Sequence, residues 1–243
     1  MSHAIEIREE AGVRTLHFGS NWVQGAMRVA RPWHLELEYT REMMLPLLLG
    51  HRHPGHVLLI GLGAASLTKF LYRHCPRTRL TVVEIDDNVT AAARQFFKLP
   101  HDPDRLEILH ADGVAFLQAA SDRYDGILVD GFDDKARAGA LESLDFYRQC
   151  RLHLADEGFL AVNLLGKNRG FRGAVERLQQ AFQSELLVLP PGSDGNVVAL
   201  ASPSPLPEID IHPWREQARA FRQDTGLNLL PTLSRLEAET QNT

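Results

Sequence analysis

The stretch that most constrains the fold is residues 57–70, VLLIGLGAASLTKF. Four apolar residues run into Gly61-Leu62-Gly63 and then into a helix-forming segment, the pattern of a buried strand turning sharply into a helix. The same alternation then continues. Strands are predicted at 57–60, 80–84, 106–110, 124–130 and 158–164, and helices at 64–74, 89–97, 114–120, 141–154 and 173–182. Short apolar strands separated by helices bury both faces only as right-handed βαβ units around a parallel sheet.

Two further strands, near 186–189 and 196–201, flank PPGSDG and read as a terminal antiparallel hairpin. The expected fold is therefore α/β: a Rossmann-like, doubly wound, mostly parallel sheet of seven strands. Upstream, residues 4–9 and 13–18 alternate and turn at Ala11-Gly12, 22–29 supply a third strand, and a helix-like stretch follows Pro32. Past Pro203 the chain is Pro-rich and then forms polar helices around 214–223 and 230–239. This divides the chain into a small N-terminal β region with a helix (1–50), a nucleoside-binding domain (51–203) and a helical extension (204–243). A length of 243 residues suits one large α/β domain with a small appendage.

Composition excludes some partners. A net charge of −5 offers no electrostatic footprint for a polyanion, so no nucleic-acid partner is expected. The apolar run at 43–50 is too short for a membrane span, and MSHAIEIREE lacks the apolar core of a signal peptide. Cys75 and Cys150 are each isolated in sequence, which suits a reducing cytoplasm rather than a disulfide framework.

In doubly wound sheets ligands bind beyond the carboxyl ends of the strands. Those ends carry Gly61 and Gly63, then Glu84, then Asp112 followed by Gly113, then Asp130. An acid after a strand is often only a helix N-cap, which is the simpler reading of Asp86 and Asp87 and an equal one for Asp112. Glu84 follows Gly61 by 23 positions, close to the roughly 20 expected of a carboxylate that bonds ribose hydroxyls. Three converging carboxylates would repel a pyrophosphate, Ser66 replaces the third glycine of the dinucleotide fingerprint, and no Gly-Lys-[Ser/Thr] follows. A cationic, phosphate-free nucleoside fits better: S-adenosylmethionine or its decarboxylated form. Glu84 would then accept from the ribose and Asp112 from the adenine amine, with Asp130 near the reacting centre.

These motifs resemble the spermidine synthase (polyamine aminopropyltransferase) family, and in particular a short spermidine-synthase-like subgroup within the class I S-adenosylmethionine-dependent fold. VLLIGLGAAS is similar to the family's glycine turn, VVEID to its ribose motif, ADGVAFL to its adenine segment and YDGILVDGFDD to its catalytic strand and loop. The resemblance implies aminopropyl transfer from decarboxylated S-adenosylmethionine to an amine such as putrescine, releasing methylthioadenosine, without a metal. It implies Asp130 as the catalytic acid, Asp133, Tyr39 and Glu42 around the amine, and Gln24 near the nucleoside. It also implies an aspartate in the glycine turn that meets the donor's amino end, where this chain has Ala64. That departure keeps a methyltransferase, with S-adenosylhomocysteine as product, as the alternative, and a non-catalytic nucleoside-binding protein as a second.

Other features have plainer readings. His51, His53 and His56 lie in a loop with no cysteine or acid nearby, which favours solvated histidines over a metal site. Trp22, Trp33 and Trp214 suit packing, or an amine pocket. Asn163 falls at the end of the fifth strand, and Lys135, Arg137, Lys167, Arg169 and Arg172 flank the expected crevice. A homodimer is the default assembly.

Overall fold

The computed structural model describes residues 4–133, 135–183, 186–193 and 195–241. Its chain opens with β1 (Ile5–Glu10), β2 (Val13–Phe18) and β3 (Gly25–Arg28), a separate antiparallel sheet in the order β1-β2-β3. Ala11 and Gly12 both take positive φ between the paired residues Glu10 and Val13. That two-residue turn matches the twist of the flanking strands.

The long helix expected after Pro32 is instead two short ones, α1 (Glu38–Glu42) and α2 (Leu45–Leu48). Pro46 is the cause: it has no N–H to donate, and its ring crowds the carbonyl four residues back, at Glu42.

The main body then alternates as the pattern requires: β4 (His56–Ile60), α3 (Ser66–His74), β5 (Arg79–Glu84), α4 (Asp87–Phe96), β6 (Leu106–His110), α5 (Gly113–Ala119) and β7 (Tyr124–Val129). A 3-10 turn at Gly139–Glu142 precedes α6 (Leu144–His153), so the expected helix at 141–154 begins later, where Ser143 Oγ accepts from Phe146 N at 3.2 Å. Next come β8 (Leu154–Leu165), α7 (Phe171–Phe182), β9 (Leu186–Val188), β10 (Asn196–Ala201), α8 (Ile211–Thr225) and α9 (Leu230–Thr240). β8 starts earlier than expected because its pairing with β7 shifts register between Tyr124 and Gly126.

The seven-stranded sheet has the order β6-β5-β4-β7-β8-β10-β9. β4 to β8 run parallel to one another, and β10 is antiparallel to both β8 and β9. The strand order reverses between β4 and β7, which opens a crevice at their carboxyl ends. One apolar cluster joins Leu16 and Met27 of the small sheet, Val57 and Leu59 of β4, and Trp214 and Leu233 of the C-terminal helices. A second, including Leu58, Ile127 and Tyr147, fills the other face. Among the described residues no helix is long and apolar enough to cross a membrane.

At the reversal the chain needs glycine. Gly61 sits at φ +96, and a Cβ there would lie 2.2 Å from the Asp130 carbonyl oxygen. Only a residue without a side chain lets the end of β4 pass this close to the end of β7. Gly61→Ala is therefore expected to destabilise the protein by about 2–5 kcal/mol, from backbone strain and overlap together. Thermal unfolding of the variant with and without nucleoside checks this; a wild-type midpoint would refute it.

Candidate active site

The crevice is a cavity of about 850 Å³, of the size small-molecule sites usually have. Its floor is the glycine turn, residues 61–64. One side is made by residues 84–89 and 111–114, and the other by residues 130–133. Gln24, Tyr39 and Trp22 of the N-terminal region complete it.

Glu84 is buried and serves two purposes. Its Oε2 accepts from Leu62 N at 2.9 Å and its Oε1 from Asp86 N at 3.0 Å, so the carboxylate ties the glycine turn to the start of α4. Burial pushes its pKa above the ordinary value, against the pull of the backbone donors Asp86, Leu62 and Ile85. Three backbone donors do not fill the roughly four acceptor positions of a carboxylate, and Glu84 lines the cavity.

The structure shows the capping reading of Asp112. It is the N-cap of α5, with Oδ1 accepting from Val114 N at 3.0 Å and Ala115 N at 2.9 Å, and it lines the cavity. Gly113 beside it is obligatory for packing, because a Cβ there would lie 2.5 Å from Ile60 Cγ2. Asp86 is the N-cap of α4, bonding Asn88 N at 2.9 Å. Ile85, 71 % exposed, offers an open apolar face to the same cavity.

Asp130 follows β7, half-buried in the crevice. Asn163 of β8 donates from Nδ2 to its Oδ1 at 2.9 Å, and the Tyr39 hydroxyl of α1 donates to its Oδ2 at 3.1 Å. Burial raises the Asp130 pKa, while the bonds from Asn163 and Tyr39 oppose the rise. The carboxylate is thus oriented from two sides and destabilised in its charged form, the condition of a group suited to taking up a proton. The acidic limb of kcat/KM is expected above the usual aspartate range near 3.9. Removing the Asn163 donor (Asn163→Leu) withdraws stabilisation of the charged form, so the limb should move to higher pH. An unshifted or downward-shifted limb in pH–rate profiles would contradict that grip.

Asp133 lines the cavity but is already engaged. Its Oδ1 accepts from Lys135 N at 2.8 Å and Arg137 N at 2.9 Å, and its Oδ2 from Arg137 Nε at 2.8 Å. Burial would raise its pKa, yet the Arg137 guanidinium and these backbone donors hold it below the ordinary value. Gln24 Nε2 reaches the Asp133 carbonyl at 3.4 Å, and Gln24 lines the cavity.

Glu42 departs from the expectation. It is 1 % exposed, does not line the cavity, and bonds Arg235 and Thr232 of α9. Tyr39 and Glu42 take different partners: Tyr39 bonds Asp130, and Glu42 bonds the C-terminal helix. Of the flanking cations only Arg137 reaches the cavity wall among the described residues; Lys135, Lys167, Arg169 and Arg172 do not. Trp33 lies under the Arg73 guanidinium at 5.6 Å and Trp214 is core. His56 bonds Thr81 Oγ1 at 3.0 Å, and no cluster of three metal-ligating side chains occurs among the described residues. Sequence alone carries Asn163 only to the edge of the site; its place at a strand end is the signal that points there.

The sheet order and the crevice at its switch point define a protein of the Rossmann-like methyltransferase fold. Residues 36–167 match the family model of the spermine/spermidine synthase domain. The chain is 35% identical over 238 residues to a polyamine aminopropyltransferase of Neisseria meningitidis, covering 98% of this chain and 90% of that one. A solved probable spermidine synthase from Corynebacterium glutamicum superposes with a TM-score of 0.73 at 19% identity, covering 90% of this chain and 82% of that one. Human methyltransferase-like protein 13, solved with SAH, gives 0.64 at 25% identity, over 77% and 89%. The chain belongs to the spermine/spermidine synthase family, and its activity is aminopropyl transfer.

Proposed function

We propose that the donor is decarboxylated S-adenosylmethionine, that the acceptor is a small amine such as putrescine, and that Asp130 takes the proton. The observation that carries this reading is the doubly held Asp130 carboxylate, facing a crevice whose other strand ends present Glu84 and Asp112. The lining fits such a donor. Among the described lining residues Arg137 is the one Lys or Arg, and it is paired with Asp133, so no side-chain cation cradles a phosphate at the glycine turn. The carboxylates favour a sulfonium cation. Glu84 accepts from the ribose hydroxyls, Asp112 Oδ2 accepts from the adenine amine, and the open face of Ile85 covers the base.

An alkylammonium with a pKa of about 10.4 is no nucleophile at neutral pH. Asp130 holds the cation and receives a proton as the nitrogen lone pair attacks the methylene carbon bonded to sulfur. The new C–N bond forms as the C–S bond breaks, and its electron pair stays on sulfur, giving neutral methylthioadenosine. Asn163 and Tyr39 keep the carboxylate aimed while this happens. Asp133, filled by Arg137 and two backbone donors, shapes the loop beside the acceptor.

Ala64 lines the turn without an acid and packs against Gly25, where a Cβ would lie 2.6 Å from the Ala64 Cβ. Recognition of the donor's amino end therefore does not come from this position. Incubation with putrescine and each donor form, read by mass spectrometry, tests the reading. Spermidine and methylthioadenosine are expected from the decarboxylated donor. A methylated product from ordinary S-adenosylmethionine, with no transfer from the decarboxylated form, would replace it with the methyltransferase alternative. Two buried free thiols, Cys75 and Cys150, support a reducing cytoplasm as the compartment.

A further inference from the structure

The C-terminal helix reaches the reacting centre through one arginine. Arg235 of α9 donates from Nη1 to Glu38 Oε1 at 2.7 Å and from Nη2 to Glu42 Oε1, so it spans the first and last residues of α1. Thr232, one turn earlier on α9, also donates to Glu42 Oε1, at 3.4 Å. Glu38 is held from a third direction by Ser193, whose N and Oγ donate to its Oε2 at 3.0 and 2.9 Å. Between the two glutamates sits Tyr39, 7 % exposed, with its hydroxyl on Asp130 at 3.1 Å.

A helix of five residues has no intrinsic stability, since nucleation costs more than one turn returns. Its placement must come from outside. Leu37, which precedes α1, offers no side-chain cap, and Pro46 prevents α1 from continuing into α2. What fixes α1 is the charge-assisted bonding of both its ends to α9, together with the burial of Tyr39, Thr40 and Glu42.

We propose that Arg235 is a positioning residue for aminopropyl transfer: by clamping Glu38 and Glu42 it holds the Tyr39 hydroxyl on Asp130. The helical extension is then part of the catalytic unit, although it lies outside residues 36–167 that define the family domain. This inference rests on Asp130 as the proton acceptor, and its test separates the two.

The test is a double-mutant cycle of Arg235→Gln and Tyr39→Phe, read as kcat, with nucleoside affinity and thermal midpoint measured alongside. Tyr39→Phe is expected to lower kcat by about tenfold, and Arg235→Gln to lower it several-fold with little change in nucleoside affinity. The double variant should be no slower than Tyr39→Phe alone, because residues acting through one contact are not additive. Multiplicative losses would overturn the proposal, as would an Arg235→Gln variant that stays folded with wild-type kcat. Removing Arg235 takes a charge-assisted bond from the buried Glu42, a costly change. If Arg235→Gln fails to fold, the cycle is run with Arg235→Lys, which keeps the charge but cannot span both carboxylates. Arg235→Lys should lower kcat when Tyr39 is intact and leave it unchanged when combined with Tyr39→Phe; equal losses in both backgrounds would refute the clamp. If Asp130→Asn turns over normally, the proton-acceptor reading fails instead, whatever the cycle shows.

Discussion

Asp130→Asn should lower kcat by at least about 10³-fold while leaving nucleoside affinity within a few-fold of wild type. General-base contributions run to about 10²–10⁴, and in the proposed mechanism the same carboxylate also holds the substrate cation. The substitution is nearly isosteric and its bonding can be kept. The new amide oxygen still accepts from Asn163 Nδ2, and the Tyr39 hydroxyl, which can accept as well as donate, takes a bond from the new NH₂. Turnover by rapid quench and affinity by calorimetry check it. Equal loss of both would make Asp130 a structural residue.

The same variant carries a stability signature. Burial raises the Asp130 pKa in the folded state, so the folded protein binds a proton there more tightly than the unfolded chain. The stabilisation from that proton is full below the unfolded pKa, near 3.9, and is lost as pH rises through the folded value. Above the folded value the wild type thus carries a carboxylate that burial disfavours, and the amide removes that cost. The thermal midpoint of Asp130→Asn should equal or exceed that of the wild type at pH 7, with the difference shrinking toward pH 4. A variant that is less stable at pH 7 than at pH 4, relative to wild type, would show that burial does not dominate at this carboxylate. Activity and stability would then pull apart at one residue, as expected where a site holds a group in an unfavourable charge state.

The sheet was legible because its signals are local and repeated. Each strand of the body is a short run rich in apolar residues with a glycine or an acid at its end or within two residues of it, and each such run became one of β4 to β8. The stretch after Pro32 was not legible in the same way. Apolar residues at Leu35, Tyr39, Met43 and Leu47 keep a helical spacing, but Pro46 overrides the spacing through backbone chemistry. Glu42, at the last position of α1, bonds Arg235, 193 residues on, and no pattern around residue 42 announces a partner that distant. Asp133 shows the same limit. Its type and position suited an amine, yet the backbone of the following loop, with Ala136 at φ +54, folds Arg137 back onto it. Strand-end acids are fixed by the fold itself; acids in loops are fixed by whatever the loop does next.

Glu84→Ala should weaken nucleoside binding by about 10–100-fold, the range of one or two hydrogen bonds to a charged group. Two losses combine. On the proposed assignment the ribose hydroxyls lose their acceptor, and Leu62 N and Asp86 N lose theirs. The second loss loosens the glycine turn that forms the cavity floor, so binding and stability should fall together, whereas Asp130→Asn separates them. Glu84→Gln distinguishes the contributions. One end of the amide still accepts, but the other presents NH₂ to a backbone N–H and must turn away, so the turn is half-held. If ribose contact dominates, Glu84→Gln should recover much of the affinity without full stability; if the turn dominates, affinity and stability should recover in proportion. Calorimetric titration with methylthioadenosine, paired with thermal unfolding of the free variants, reads both. Unchanged affinity in Glu84→Ala would remove the ribose assignment altogether, and with it the reason for the 23-residue spacing from Gly61.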